Sequence, residues 1–101
     1  MIRVVVVDDD PLVTESLKTI LEISDEIHVV GTGNSAPEAV KLYLQERPDV
    51  LLTDIRMGNS TGIEAAKAIF KQVPEAVILL LTTFSDDEYI REALQIGVKG
   101  Y

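Results

Sequence analysis

Apolar runs and helically spaced apolar stripes alternate along the whole chain. Ile2 to Val7 is nearly all β-branched and apolar, the composition of a strand covered on both faces, and it stops at Asp8-Asp9-Asp10. Pro11 suits a first helical position with Asp10 as N-cap, and Val13, Leu17, Ile20 and Leu21 give that helix one apolar stripe. Ile27 to Val30 predicts a short second strand closed by Gly31. Ser35 and Glu38 then form a capping box for a helix burying Ala36, Ala39, Val40, Tyr43 and Leu44. After Pro48, Val50 to Leu52 predicts a third strand ending at Thr53 and Asp54, and Ile55 to Thr61 reads as a loop. Gly62 leads into a helix with Ile63, Ala66, Ile69, Phe70 and Val73 at helical spacing. Ala76 to Leu81 predicts a fourth strand ending at Thr82, and Ser85 with Glu88 repeats the capping box before a helix bearing Ile90, Ala93 and Leu94. Gly97 stands where a left-handed C-cap is wanted, and Val98 to Tyr101 begins a fifth strand.

This βαβαβαβαβ order predicts an α/β fold, a doubly wound parallel sheet with helices on both faces, because parallel strands need crossovers and those are right-handed. A length of 101 residues sets one domain, residues 1–101, without linkers or repeats. No apolar run approaches the ~18 residues of a membrane span, and the start does not resemble a secretory signal, so a cytoplasmic protein with no membrane contact is expected. The absence of cysteine excludes disulfides and thiolate chemistry. The single His28 excludes a two-histidine metal site and reads as a surface residue, so any metal must take oxygen ligands. The net charge of −8, from 17 acidic and 9 basic residues, argues against direct nucleic acid contact, which rests on phosphate neutralisation.

In doubly wound sheets ligands bind outside the carboxyl ends of the strands. Strands one, three and four end in Asp8-Asp9, Asp54 and Thr82, so three carboxylates and a hydroxyl converge on one edge. Two carboxylates ~4 Å apart repel by ~4 kcal/mol at an effective dielectric of about 20, which a divalent cation relieves. Mg²⁺ fits, since it takes one or two carboxylates, a carbonyl and waters and leaves room for a phosphate oxygen. Beside such a cation a carboxylate can act as nucleophile toward a phosphoryl group, and a threonine hydroxyl can donate to the product. Taken singly, Asp10 is a cap, Asp8 and Asp9 are turn residues, Thr82 is a loop hydroxyl, and Arg56 and Lys99 are solvated charges. Only their convergence favours chemistry.

Three segments carry a family resemblance: VVVVDDDP at the first strand, LLTDIRMGNSTG around Asp54, and LLLTTFSDDEYIREALQIGVKGY from the fourth strand onward. Over essentially its whole length the chain resembles the receiver domain of bacterial two-component response regulators. The last segment is similar to the NarL/LuxR-type subgroup, whose receivers usually precede a helix-turn-helix DNA-binding domain. The resemblance implies a flavodoxin-like (βα)5 fold with strand order 2-1-3-4-5, and a signalling switch rather than an enzyme. It implies that Asp54 accepts a phosphoryl group from a sensor histidine kinase. Asp9 would bind Mg²⁺ directly and Asp8 through water, with Asp54 and the backbone carbonyl of Arg56 completing the protein ligands. Thr82 matches the switch hydroxyl and Tyr101 the switch aromatic.

Two departures stand out. Gly58 replaces the proline usual after Met57, which predicts a looser loop with the site intact. The family's lysine falls three residues beyond the switch aromatic and is not in this chain, and Lys99 is out of register for it. Most of strand five and all of helix five are likewise expected to be missing, as in a C-terminally truncated receiver. An open sheet edge and an uncovered apolar face beside the first helix would then favour self-association as a dimer or swapped oligomer. The alternatives are a protein-interaction module independent of phosphorylation, a flavodoxin-like nucleotide or flavin binder, and an aspartate-nucleophile phosphohydrolase. Asp8-Asp9-Asp10 would repel a nucleotide phosphate, and the phosphohydrolase needs a carboxylate where Arg56 stands.

Overall fold

The computed structural model describes residues 1–81 and 87–101. In chain order the elements are β1 (Ile2–Val7), α1 (Pro11–Leu21), β2 (Ile27–Gly33), α2 (Ala36–Glu46), β3 (Val50–Asp54), β4 (Arg56–Met57), β5 (Ser60–Thr61), α3 (Gly62–Gln72), β6 (Ile78–Leu81) and α4 (Asp87–Ile96). Strands β2, β1, β3 and β6 form one parallel sheet in that order. The Leu80 amide donates to the Gly100 carbonyl at 3.0 Å and the Lys99 amide to Ile78 at 2.9 Å, so a fifth strand begins beside β6. The expected strand order is therefore present, and the fold is flavodoxin-like.

Because successive side chains of a strand point to opposite faces, the alternating valines of β1 serve two cores. Val5 and Val7 join Ala39, Leu51, Ala66 and Ile69 in the core under α2, α3 and α4, while Val4 and Val6 pack with Val29, Leu17 and Leu21 on the α1 side. The second core is the smaller. Among the described residues α1 stands without a helical neighbour there, buries only Thr14, and leaves Ile20 60% exposed, outside the stripe assigned to it from spacing.

The helix starts follow the capping logic. The Asp10 carboxylate accepts from the Leu12 amide, Ser35 Oγ from Glu38, and Thr61 Oγ1 from Glu64. The proposed cap at Ser85 lies outside the described residues. At the end of α4, Gly97 has φ +112°, with the Val98 amide on the Ala93 carbonyl and the Gly97 amide on Leu94. This is a Schellman motif, and the predicted glycine supplies its left-handed residue.

Three boundaries differ from the sequence reading. β2 runs on to Gly33, because a bulge skips Val30: Val4 faces Val29 and Val5 faces Gly31. Pairing then continues past the glycine that was expected to end it. The fourth strand of the sheet, β6, begins at Ile78, since a turn from Val73 to Ala76 occupies the preceding residues. The expected loop after Ile55 is a hairpin, with Arg56 opposite Thr61 and Met57 opposite Ser60.

Candidate functional site

The two central strands end in the acidic residues. Asp8 follows β1 and its amide donates to the Gly33 carbonyl at 3.0 Å, which ties the end of β1 to the end of β2. Asp54 is the last residue of β3, beside β1 in the sheet. This neighbouring position brings one carboxylate oxygen each from Asp8, Asp9 and Asp54 within 4.8 Å of one another. Asp8 is 7% exposed, Asp54 is half-buried and Asp9 is exposed. Burial pushes the Asp8 carboxyl above its ordinary value, and the negative charges of Asp9 and Asp10 push the same way. The Asp10 amide, donating to Asp8 Oδ1 at 2.9 Å, opposes them. A buried, proton-seeking carboxylate beside two others is a hard-oxygen donor set short of positive charge. It fits a divalent cation of the Mg²⁺ kind.

Asp54 is held from several sides. Its Oδ1 accepts from the Ile55 amide at 2.8 Å, which sets the carboxylate rotamer. The fully buried Thr53 hydroxyl donates to the Asp54 carbonyl at 3.1 Å and lies 3.8 Å from Met57 Sδ. The Gly62 amide donates to the Ile55 carbonyl at 2.7 Å. α3 thus starts so close to the strand that a Cβ on Gly62 would run into the Asp54 carbonyl oxygen.

The β4–β5 hairpin turns on Gly58 at φ +63°. Proline, fixed near −65°, cannot take that conformation, so here glycine permits a tight turn in place of the looser loop expected. Ser60 fastens the hairpin to α2, accepting from the Ala36 amide at 3.0 Å and donating to the Met57 carbonyl at 3.3 Å. On its other side the Arg56 guanidinium lies 6.0 Å from the centre of the Tyr89 ring of α4.

The structure brings Asp8, Asp9 and Asp54 together as expected, with Arg56 two residues beyond Asp54 at the start of β4. Thr82 lies outside the described residues. Tyr101 is 69% exposed, one residue past the Gly100 bridge to β6. His28 is exposed, with Nδ1 3.1 Å from Glu22 Oε2. An open pocket of about 320 Å³ adjoins the cluster between Asp8 and the starts of α1 and α2, lined by Thr14, Glu15, Thr32, Asn34 and Glu38. Sequence reasoning missed Thr53, Ser60 and Tyr89, which support the site through contacts between elements. The sequence pattern presents Gly62 as a helix start, and glycine at a helix's first position is itself a signal of close packing.

Residues 4–101 match the family described as Response regulator receiver domain. The transcriptional regulatory protein LnrK of Bacillus subtilis (strain 168) is 39% identical over 101 residues, covering 100% of this chain and 46% of that protein. The response regulator protein VraR of Staphylococcus aureus (strain NCTC 8325 / PS 47) is 36% identical over 100 residues, covering 99% and 48%. The chain thus spans about half the length of the curated relatives it matches. Among solved structures, a LuxR-family two-component response regulator from Aurantimonas sp. SI85-9A1 aligns with TM-score 0.93 and 31% identity over 100% of this chain and 72% of that one. The response regulator domain of Thermotoga maritima CheB aligns with TM-score 0.85 and 37% identity over 99% and 75%. With acid-tipped central strands, this strand order and a match over nearly its full length, the chain belongs to the response regulator receiver domain family.

Proposed function

We propose that residues 1–101 act as one receiver unit, a signalling domain in which Asp54 is the phosphoacceptor. A carboxylate oxygen of Asp54 attacks the phosphorus of a phosphohistidine on a sensor histidine kinase. The P–O bond forms as the P–N bond breaks, and the departing imidazole takes up a proton. Asp9 and Asp54 would hold Mg²⁺ directly and Asp8 through water, with the Arg56 carbonyl as a further ligand. The ion, when bound, supplies positive charge against the phosphoryl oxygens. Thr82 is the hydroxyl assigned to the phosphorylated state, and Tyr101 the aromatic that responds to it.

One observation carries this reading: the convergence of Asp8, Asp9 and Asp54 within 4.8 Å at the carboxyl ends of the central strands. In a longer protein such as the transcriptional regulatory protein LnrK, the switch would control an attached DNA-binding output. The acidic domain itself would not touch nucleic acid. Leu12 and Ile20 on α1 and the nearby Ile23, 76%, 60% and 78% exposed, are suited to self-association. Among the described residues no helix is long and apolar enough to cross a membrane, and we place the domain in the cytoplasm with its kinase's transmitter.

The test is incubation with a small phosphodonor and Mg²⁺, followed by intact mass. One phosphoryl adduct is expected on the parent and none on Asp54→Asn. No adduct on the parent, or equal adducts on both, would overturn the assignment.

A further inference from the structure

β3 buries a hydroxyl where its neighbours bury hydrocarbon. Thr53 lies opposite Val7 of β1, on the sheet face shared by Val5, Val7 and Leu51. Among the described residues it is the one polar side chain with essentially no exposed surface. A valine would fill that place with no polar group to satisfy. The Thr53 methyl is turned toward Gly62, and the hydroxyl donates to the Asp54 carbonyl at 3.1 Å. That carbonyl belongs to the same peptide unit as the Ile55 amide, which donates to Asp54 Oδ1 at 2.8 Å. A peptide unit is planar, so its oxygen and its N–H turn together. A bond donated to the oxygen therefore sets the direction of the N–H, and it polarises the amide, strengthening the bond that the N–H gives.

We propose that Thr53 is a positioning residue for phosphoryl acceptance, acting through the peptide between Asp54 and Ile55: its hydroxyl aims the Ile55 amide, and the amide holds the Asp54 carboxylate in the rotamer that attacks phosphorus. The inference rests on the phosphoacceptor reading above. Asp54 has other interactions as well, and this relay adds to them. Fully buried, Thr53 does not meet the phosphodonor itself, so its effect passes through the backbone. The side chain suits that task. A β-branched residue is stiff at χ1, and with the methyl seated toward Gly62 the hydroxyl has few other directions to take.

The test uses the full chain with a small phosphodonor and Mg²⁺, following adduct formation by intact mass and stability by urea denaturation. Thr53→Val deletes the hydroxyl and keeps the shape, whereas Thr53→Ser keeps the hydroxyl and deletes the methyl. Stability should fall more in Thr53→Ser, which opens a methyl-sized gap in a close-packed core. The rate should fall in the other variant. Thr53→Val is expected to form adduct roughly three- to tenfold more slowly than the parent, the size of one net hydrogen bond, with Thr53→Ser near the parent. A role in packing alone would lower both quantities in the same variant. Thr53→Ala compared with Thr53→Ser repeats the hydroxyl comparison without the methyl, and the same loss of rate is expected there even where Thr53→Val does not fold. In NMR the Ile55 amide proton should move upfield in Thr53→Val and keep its position in Thr53→Ser. A parent-like rate in a folded Thr53→Val, equal rates in Thr53→Ala and Thr53→Ser, or rates that follow stability across the series overturn the inference while leaving Asp54 in place. Absence of any Asp54-dependent adduct overturns both.

Discussion

Replacing Gly62 by alanine separates two opposed effects of known size. On helix propensity alone alanine should stabilise the start of α3, since glycine is worse by up to ~1 kcal/mol. The structure predicts the reverse. An added methyl would overlap the Asp54 carbonyl oxygen and lie 3.1 Å from Thr53 Cγ2. The oxygen is backbone at the end of a central strand, and Thr53 is fully buried, so neither can swing aside as a flexible side chain would. Overpacking of this kind costs ~1–3 kcal/mol. For a domain of this size each kcal/mol lowers the thermal midpoint by roughly 4–8 °C. The displaced atoms include the backbone of Asp54, so the rate of adduct formation should fall along with the midpoint. Gly58→Ala is the contrast: open space surrounds that position, but φ is +63°. Its cost is conformational, ~1–2 kcal/mol, and Gly58→Asn should recover part of it. Differential scanning calorimetry and the phosphodonor assay on the three variants decide the matter. A Gly62→Ala protein melting at or above the parent temperature would refute the steric argument.

Three further outcomes are expected. Asp8→Asn should raise stability, and with it the thermal midpoint, in chelator, by less than the ~4 kcal/mol of two carboxylates ~4 Å apart because Asp9 is exposed and screened, and lose most of the stabilisation that Mg²⁺ gives the parent; melting with and without the ion checks both. Glu22 is held below its ordinary 4.5, first by the Val29 amide and then by His28, so its contribution is complete above that value and lost as pH falls toward the depressed one. Glu22→Gln should therefore be less stable than the parent near neutrality, with the gap closing in acid, as urea titrations across pH would show. Arg3 donates to the Glu46 and Arg47 carbonyls at 2.7 and 3.2 Å, closing the end of α2. Its exposure limits the expected loss in Arg3→Ala to ~1–2 kcal/mol, and urea denaturation should find Arg3→Lys recovering less than half, because a single ammonium cannot serve both carbonyls from Nη1 and the Glu46 carboxylate from Nη2 at once.

The succession of strands and helices, the acidic strand ends and most helix starts were legible in the sequence, because each depends on local pattern, whereas the strand order came only from the family resemblance. The Ile2 to Val7 run, Asp10 before Pro11, Ser35 before Glu38 and Gly97 after α4 carry their meaning within a few residues. What escaped depends on contacts between distant segments. The continuation of β2 through Gly31 follows from a bulge against β1 and from Leu42 and Glu38 filling the space beside Gly31 and Gly33. The hairpin after Asp54 needs Gly58 at a positive φ, and Ser60 reaches an amide 24 positions earlier. Ile20 has the spacing of the α1 stripe yet is exposed, since periodicity shows which face can be buried but not how much of it a neighbour covers.

The placement of the acidic residues has a consequence for hydrogen–deuterium exchange. β1 and β3 each have strands on both sides, and Val5, Val6, Val7, Leu51 and Thr53 have essentially no exposed surface, so their amides should exchange only when the whole domain unfolds. The Gly58-Asn59 tip, in open space at the end of a two-stranded ribbon, should exchange through local opening. Asp8 and Asp54 would thus sit where the slowest-exchanging strands meet fast-exchanging connections, and amide protection at the tip would register chemistry at Asp54 while β1 and β3 stay silent.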